Sequence, residues 1–331
     1  MESQEAYSRL FALSKLNVVP DYGRIRDKTA IIVGIGGVGS VAAEMLTRCG
    51  VGRLILIDYD TVEMANMNRM FFTPDQVGMY KVEAAKATLE KISLGNTTVL
   101  PINGNICMID SYNRFIEILK NESSSSHVLV LCCVDNYAAR VTVNRACLEA
   151  NQVWIESGVS ETAMSGHVQF MFPGSSACFE CAPPGIMATK DDEKTIVRPG
   201  VCAASLPTTM SIIAGLMVQA ALKYFLGFGK VGGCLGYEAL GDFFPSYDIK
   251  PNPDCASERC RAHQKTVVPV KCMHSMHEVE SDNDKTVHES NDWGIEIVAQ
   301  VACRNPEDEV KPSRNLESLS VTELMNRLRN N

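Results

Sequence analysis

The 331-residue sequence is 46% hydrophobic and 21% charged, which is the balance of an ordinary soluble chain with one large domain or two modest ones. Its formal net charge of −8 argues against a surface built to bind nucleic acid. The opening MESQEAYSRL shows no signal-peptide pattern, and the charge-free apolar run 208–221 falls short of the roughly 20 residues of a membrane span, so we expect a cytoplasmic protein, with nuclear presence allowed.

Apolar strands alternate with amphipathic helices from residue 29 onward. Residues 1–28 are predicted to form an N-terminal extension, with helical spacing over 7–16. Strands are predicted at 29–34, 53–60, 127–134, 153–158 and 167–172, and helices at 38–50, 80–92 and 136–151. This alternation predicts an α/β domain over 29–265 with a parallel, doubly wound sheet. Residues 266–331, with twelve acidic and seven basic side chains, are predicted to be a disordered acidic tail.

A glycine-rich loop joins the first strand of this domain to the helix that follows. It reads Gly34-Ile-Gly36-Gly37-Val-Gly39, and Asp58 ends the next strand. Glycines permit a tight turn and close approach of a phosphate to the helix start, and a carboxylate at the strand end can hold ribose hydroxyls. By itself the loop is a generic nucleotide signal, which also fits NAD binding or a purely structural turn.

The charged residues beyond the second strand favour a triphosphate over a dinucleotide. Arg69 follows that strand and Lys81 opens the next helix. A triphosphate carries more negative charge than a pyrophosphate bridge and requires cations and a metal ion. Asp135 and Asn136 follow the strand 127–134, at the edge where open sheets bind ligands. Asp135 is placed to bind Mg²⁺, with capping of the next helix as a compatible alternative role. We therefore predict ATP and Mg²⁺ as ligands, although the GxxxxGK[ST] loop is absent from the sequence.

Four of the thirteen cysteines form two closely spaced pairs. Cys178 and Cys181 form a CxxC pair, and Cys255 and Cys260 a CxxxxC pair, both in loops flanked by prolines. Two such pairs supply the four thiolates of a closed tetrahedral zinc site. A redox role is the alternative for the first pair, but the two prolines that follow it disfavour the helix that a redox motif opens. Other cysteines, among them 49, 132, 133 and 147, are interpreted as core residues.

In their order along the chain, these motifs resemble the adenylation domain of activating enzymes for ubiquitin-like modifiers. The resemblance runs through GxGGxG, DxDxVxxxNxxR, Lys81, Asp135 and the paired cysteines, over roughly residues 29–262. Three features resemble the subfamily that serves the ubiquitin-fold modifier (ufmylation): the CxxxxC pair, the cysteine in VCAASLPTTM without an inserted cysteine domain, and a WGIEI segment before a terminal helix. The resemblance implies a Rossmann-like fold of the ThiF/MoeB type.

The resemblance also implies roles for individual residues. ATP contacts fall on Gly37, Asp58, Asn66, Lys81 and Asn136, the magnesium-linked carboxylate on Asp135, stabilisation of phosphate charge on Arg69, and the thioester nucleophile on Cys202. The implied reaction is ATP-dependent adenylation of the modifier's C-terminal glycine, thioester formation on Cys202 and transfer to a conjugating enzyme. The alternative for Cys202 is that of a small buried apolar residue.

Two islands in the tail are candidate docking segments. Within 288–300, the apolar side chains of Trp293, Ile295, Ile297 and Val298 suit the addition of a strand to a sheet edge. The resemblance implies that this segment binds the modifier and autophagy-type ubiquitin-like proteins, and that the protein is a homodimer. It further implies that the segment 314–331, in which Leu324, Met325 and Leu328 have helical spacing, recruits the conjugating enzyme. A stray tryptophan in a disordered tail is the alternative for Trp293.

Three other functions stay open at the level of sequence. An adenylyltransferase of sulfur-carrier proteins shares the ATP site and the zinc, but the long tail argues against it. A catalytically silent subunit of a heterodimeric activating enzyme would lack ATP-site or cysteine residues that this sequence retains. An NAD-dependent dehydrogenase is the most distant alternative.

Overall fold

The computed structural model describes residues 6–122, 127–181 and 204–266 of the chain. These residues belong to a unit that spans Met1–Glu278, whereas a second unit, Val279–Asn331, lies outside the described residues. The domain boundaries expected at residues 29 and 266 therefore stay predictions.

Strands and helices alternate through the described chain. The strands are β1 (Thr29–Val33), β2 (Arg53–Asp58), β3 (Thr98–Asn103), β4 (Val128–Cys132), β5 (Trp154–Val159), β6 (Ser165–Met171), β7 (Cys234–Glu238) and β8 (Ser246–Tyr247). The α-helices are α1 (Ser8–Lys15), α2 (Gly39–Arg48), α3 (Lys81–Ser93), α4 (Ile109–Glu122), α5 (Tyr137–Glu149), α6 (Pro207–Leu226) and α7 (Glu258–Thr266). Short 3-10 helices cover Tyr22–Asp27, Met64–Asn68 and Pro74–Gln76.

One eight-stranded sheet runs in the order β3-β2-β1-β4-β5-β6-β7-β8. The strands β1 to β5 are parallel, whereas β6, β7 and β8 are added in antiparallel pairs. The α/β, doubly wound class is confirmed, but the prediction of a wholly parallel sheet is wrong at this end. Residues 160–164, which join β5 to β6, are too few for the crossover that parallel neighbours require. The order reverses between β1 and β4, where sheets of this type bind ligands.

Alternate residues of the central strands face two helical layers. In β1, Ala30 and Ile32 pack in the core cluster that contains residues of α2, α3 and α6, whereas Ile31 and Val33 pack with α4 and α5. All four side chains are at most 1% exposed. Because burial of one such aliphatic side chain stabilises the fold by about 1.5–3 kcal/mol, the two layers fix the carboxyl ends of the parallel strands along one edge.

Helix α6 is long and apolar, and its 20 residues correct the expectation that this segment is too short to span a membrane. In the described part of the chain it is the one helix that could do so by length and composition. It packs against α2, β5 and β6, with Ile213, Ala214 and Met217 fully buried. We interpret α6 as the core helix of a folded domain.

Gly39, the first residue of α2, lies against the backbone of the glycine loop. A Cβ atom at this position would lie 1.9 Å from the carbonyl oxygen of Gly34. We expect Gly39→Ala to lower the free energy of unfolding by about 3 kcal/mol in urea titrations, because a backbone atom cannot move aside. Gly215→Ala is the control, since a Cβ there meets nothing within 4 Å and an alanine inside α6 should be neutral or stabilising by up to about 1 kcal/mol. Equal stability of the two variants would contradict this packing.

Candidate nucleotide site and metal centre

A cavity of about 650 Å³ lies at the carboxyl ends of the parallel strands. It contains most of the residues predicted to bind the nucleotide, namely Gly34, Gly36, Gly37, Asp58, Arg69, Lys81, Asp135 and Asn136. Two others, Gly39 and Asn66, do not line it. The fold thus brings together polar groups from five separate segments. Four of them are positioned by the end of a strand or the start of a helix, and Arg69 follows the 3-10 helix Met64–Asn68.

The glycine loop is tightly packed on one side and open on the other. Gly34 has φ +92°, and a Cβ there would lie 2.8 Å from the backbone of Cys133. A Cβ on Gly37 would lie 2.1 Å from the Sδ atom of Met210, whereas one on Gly36 would meet nothing within 4 Å. The loop leads directly into α2, where the N–H of Ser40 already donates to the carbonyl oxygen of Gly36 at 3.1 Å. The open side of the loop at Gly36 leaves room for a phosphate near the start of the helix.

Asp58 accepts two backbone hydrogen bonds that fix its carboxylate. The N–H of Ile35 donates to Oδ2 at 2.6 Å, and the N–H of Asp60 donates to Oδ1 at 2.8 Å. Burial raises the pKa of Asp58 above its ordinary value, although these two hydrogen bonds act in the opposite direction. Each carboxylate oxygen keeps a further lone pair, so Asp58 can accept hydrogen bonds from ribose hydroxyls as predicted.

Lys81 and Arg69 bring two positive charges to the cavity. Lys81 is 8% exposed, and its Nζ atom lies 2.7 Å from Oδ2 of Asp60. Arg69 is half-buried, and its Nε atom donates to the Oγ atom of Ser205 at 3.2 Å. No carboxylate of the described residues pairs with Arg69. Because partial burial reduces screening, Arg69 attracts a phosphate more strongly than an exposed side chain would, whereas Asp60 offsets part of the charge of Lys81.

Asp135 and Asn136 divide two tasks at the start of α5. The Oδ1 atom of Asn136 accepts the N–H of Ala139 at 2.9 Å, so Asn136 caps the helix and the alternative that Asp135 does so is wrong. Asp135 is exposed at the cavity and accepts a 3.4 Å hydrogen bond from Nδ2 of Asn136. One carboxylate beside a phosphate site fits Mg²⁺, which takes one or two carboxylates together with phosphate oxygens.

Asn66 forms part of the turn before Arg69 and does not line the cavity. It is buried in the 3-10 helix Met64–Asn68, where its Oδ1 atom accepts the N–H of Glu63 at 3.0 Å. Its carbonyl oxygen accepts the N–H of Arg69, also at 3.0 Å. The structure therefore corrects the prediction of a direct ATP contact: Asn66 shapes the turn that carries Arg69.

A buried ionic network beside the cavity was not predicted from the sequence. Glu156, which is fully buried in β5, pairs with the guanidinium of Arg140 and lies 2.6 Å from Nε2 of His167. Burial would raise the pKa of the Glu156 carboxyl, but Arg140 and His167 together hold it below its ordinary value. Arg140 also lines an adjoining cavity of about 220 Å³. The available sequence signal was a carboxylate within the apolar strand WIESGV.

Hydrogen bonds hold the segment that follows Cys202 beside the cavity. Ala204 lines the cavity, and its N–H donates to the carbonyl oxygen of Glu161 at 2.8 Å. The carbonyl oxygen of Ser205 accepts a 3.3 Å hydrogen bond from Nδ2 of Asn68. Several predicted functional residues lie outside the described residues: Cys202, Trp293, Ile295, Ile297, Val298, Leu324, Met325 and Leu328.

The paired cysteines converge in one buried cluster. The four Sγ atoms lie within 4.8 Å of one another, with 3.6 Å between Cys178 and Cys255 and 3.5 Å between Cys181 and Cys260. These separations exceed the roughly 2.05 Å of a disulfide and approach the roughly 3.8 Å sulfur separation of a tetrahedral zinc–thiolate site. Burial raises the pKa of Cys255, whereas the hydrogen bond with Cys178 lowers that of Cys181. Four thiolates within 4.8 Å would repel one another, so a cation would be required to keep all four ionised. The cluster fits a zinc ion.

Comparison with known proteins identifies relatives over most of the chain. A model of the ThiF family matches residues 7–257. Proteins named ubiquitin-like modifier-activating enzyme 5 are 51% identical in Drosophila ananassae, over 95% of this chain and 80% of that protein, and 52% identical in Bombyx mori, over 94% and 78%. The protein of that name in Gallus gallus is 51% identical over 92% of this chain and 76% of its own length.

Solved structures show the same fold at lower identity. E. coli MccB in the presence of ATP superposes with a TM-score of 0.60 at 22% identity, covering 76% of this chain and 73% of MccB. The PaaA structure superposes with a TM-score of 0.58 at 23% identity, covering 75% of this chain and 74% of PaaA. At such identities the likeness establishes the fold alone.

Proposed function

The chain belongs to the ThiF family, and from this premise we propose that it activates a ubiquitin-like modifier by ATP-dependent adenylation. The observation that carries the proposal is one cavity that combines an open glycine loop, the fixed carboxylate of Asp58 and the cations Arg69 and Lys81. The name shared by relatives that are 51–54% identical favours a modifier over a sulfur-carrier protein as the substrate. Two cations beside the nucleotide also fit a triphosphate better than NAD.

In the first step, a carboxylate oxygen of the modifier's C-terminal glycine attacks the α-phosphorus of ATP. The bond from this phosphorus to its bridging oxygen breaks, pyrophosphate leaves, and an acyl-adenylate remains. Both reactants are anions, so Arg69 and Lys81 stabilise the charge that concentrates in the transition state. The glycine loop and Asp58 hold the nucleotide in line with the attacking oxygen. Mg²⁺, when bound at Asp135, would neutralise part of the phosphate charge.

In the second step, Cys202 attacks the carbonyl carbon of the adenylate as a thiolate. The carbon–oxygen bond to the phosphate breaks, AMP leaves with the bonding electrons, and the thiol proton passes to solvent. Support for this role comes from the sequence VCAASLPTTM and from Ala204, which follows Cys202 by two residues and lines the cavity. The product is a thioester that keeps the acyl group activated for transfer.

Exchange of labelled pyrophosphate into ATP tests the first step. We expect the full chain, loaded with zinc and supplied with Mg²⁺, to catalyse exchange only when the modifier is present. The control is a modifier that lacks its terminal glycine, because the reaction consumes that carboxylate. If the intact modifier produces no exchange, or if exchange proceeds equally well without it, the proposal is wrong.

The finer assignments belong to the same proposal. The modifier is the ubiquitin-fold modifier, and the thioester passes to the corresponding conjugating enzyme. The segment around Trp293 binds the modifier and autophagy-type ubiquitin-like proteins by adding a strand to a sheet edge. The protein acts as a homodimer in the cytoplasm, where its thiols stay reduced.

Deletion of residues 310–331 separates activation from transfer. We expect the truncated protein to form the thioester on Cys202 at the full rate but to transfer the modifier to the conjugating enzyme at least about tenfold more slowly, because Leu324, Met325 and Leu328 are removed from a helix-in-groove contact. Single-turnover transfer from preformed thioester measures this directly. Replacement of Arg304 by alanine, outside the deleted segment, is the control. Unchanged transfer by the truncated protein would refute this docking role.

A further inference from the structure

Phe179 connects the cysteine cluster to the nucleotide cavity. It lies between the two ligands Cys178 and Cys181, in a turn closed by a 3.0 Å hydrogen bond from the N–H of Cys181 to the carbonyl oxygen of Cys178. Its side chain is 6% exposed and lines the cavity. Its ring centroid lies 5.6 Å from that of Tyr137, which also lines the cavity and is the first residue of α5. One side chain of the cavity lining therefore belongs to the turn that carries two of the four clustered cysteines.

Asn144 attaches the same turn to α5. This side chain is fully buried, and its Oδ1 atom accepts the N–H of Phe179 at 3.1 Å. Its Nδ2 atom donates to Oε2 of Glu180 at 2.9 Å and lies 3.8 Å from the Sγ atom of Cys178. A buried amide with all of these contacts on one turn holds that turn firmly, since an unsatisfied partner would cost about 1–3 kcal/mol. Asn144 follows Tyr137 by about two helical turns on α5, so the contacts with Tyr137 and Asn144 place the turn against one helix.

From these contacts we infer that metal binding at the four cysteines positions Phe179 in the lining of the nucleotide cavity. Metal and nucleotide therefore each strengthen the binding of the other through Phe179. The inference rests on the proposed function for the cavity. With the metal in place, the turn is closed and Phe179 is fixed against Tyr137. Without it, the turn is no longer held from the side of the four cysteines, so Asn144 alone positions Phe179 and the nucleotide binds beside a less ordered side chain.

Coupling of this kind is reciprocal, which gives it a measurable signature. If the metal strengthens nucleotide binding, the nucleotide must strengthen metal binding by the same factor. We expect a factor of roughly ten, within the range usual for coupled sites. A metal ion that only stabilised the fold at a distance from the cavity would show no such dependence on the nucleotide.

The test measures the apparent zinc affinity of the full chain by competition with a chromogenic chelator, with and without saturating ATP and excess Mg²⁺. We expect ATP to tighten zinc binding about tenfold in the natural protein. Phe179→Ala should still bind zinc and ATP, but ATP should no longer tighten its zinc binding. Phe179→Leu should restore part of the effect of ATP on zinc affinity. Phe225→Ala is the matched control, because Phe225 is a similarly buried phenylalanine, 3% exposed, in the other core cluster. Direct chelation of zinc by ATP would affect all four proteins equally and so cancels in the comparison.

Each outcome decides between the alternatives. Equal zinc affinity with and without ATP, in a protein shown by calorimetry to bind ATP, overturns the coupling alone. If ATP tightens zinc binding as strongly in Phe179→Ala as in the natural protein, the coupling does not pass through this side chain. If Phe179→Ala does not fold, the same result in Phe179→Leu leads to the same conclusion. If the zinc-loaded natural protein does not bind ATP at all, the proposed function fails and the inference fails with it.

Discussion

Arg69→Ala should lower the rate of modifier-dependent ATP–pyrophosphate exchange by about 10²–10³-fold, the usual effect of removing one group that stabilises transition-state charge. Arg69 is held at the cavity by the turn that Asn66 shapes and by its hydrogen bond to Ser205, and no carboxylate of the described chain neutralises it. Its charge is therefore available to the phosphate. The measurement is the initial rate of exchange at saturating ATP and modifier.

Two further variants make the Arg69 result specific. Arg69→Lys should recover part of the rate, since it keeps a charge but loses the fixed Nε donor to Ser205. Arg53→Ala should leave the rate unchanged, because Arg53 begins β2 at the opposite end from the cavity and pairs with Glu122. An Arg69→Ala enzyme with the full exchange rate and unchanged stability would show that this side chain does not act on the phosphates.

The Cys202→Ala variant should form no thioester and yet retain pyrophosphate exchange. Only the second step uses the sulfur, so the acyl-adenylate forms and returns to ATP at its ordinary rate. A non-reducing gel after incubation with ATP, Mg²⁺ and modifier should show a thiol-sensitive conjugate for the natural protein and none for the variant.

Cys107 provides the control for reactivity near the cavity. It is an exposed cysteine that follows the cavity residues Asn105 and Ile106. Cys107→Ala should form the conjugate normally. A thiol-sensitive conjugate that persists in Cys202→Ala and disappears in Cys107→Ala would move the nucleophile to residue 107 and contradict the assignment.

The predicted residues that the structure brings to the cavity are those whose positions follow from local rules, and their roles stay predictions. Gly34, Gly36 and Gly37 join a strand to a helix, and Asp58 and Lys81 end and begin such elements. Since the carboxyl ends of parallel strands lie along one edge, identifying the elements is enough to bring these residues together. The two cysteine pairs were predicted in the same way, from the limited spacings that suit four thiolates.

What the sequence did not predict depends on contacts between distant segments. Helix α4 was missed although Phe115, Ile116 and Leu119 are buried at helical spacing, a signal that the sequence offered. Pro101 lies within β3 and disfavours a strand there, and the short strands β7 and β8 are defined by their antiparallel neighbours. The pair of Arg140 and Glu156 and the position of Phe179 in the cavity wall arise only when separate elements pack together. The position of Asn66 was misassigned because family spacing does not reveal whether a side chain faces a ligand or caps its own turn.

The central claim is that this cavity transfers AMP from ATP to a carboxylate, and the most direct test follows the α-phosphate. Incubation of the Cys202→Ala variant with modifier, Mg²⁺, inorganic pyrophosphatase and ATP labelled at the α-phosphorus should yield labelled modifier, because the adenylate forms but cannot proceed to the thioester. Hydroxylamine should release that label as AMP. Recovery of the label as ADP, or unlabelled modifier from a variant that binds ATP, would contradict the account.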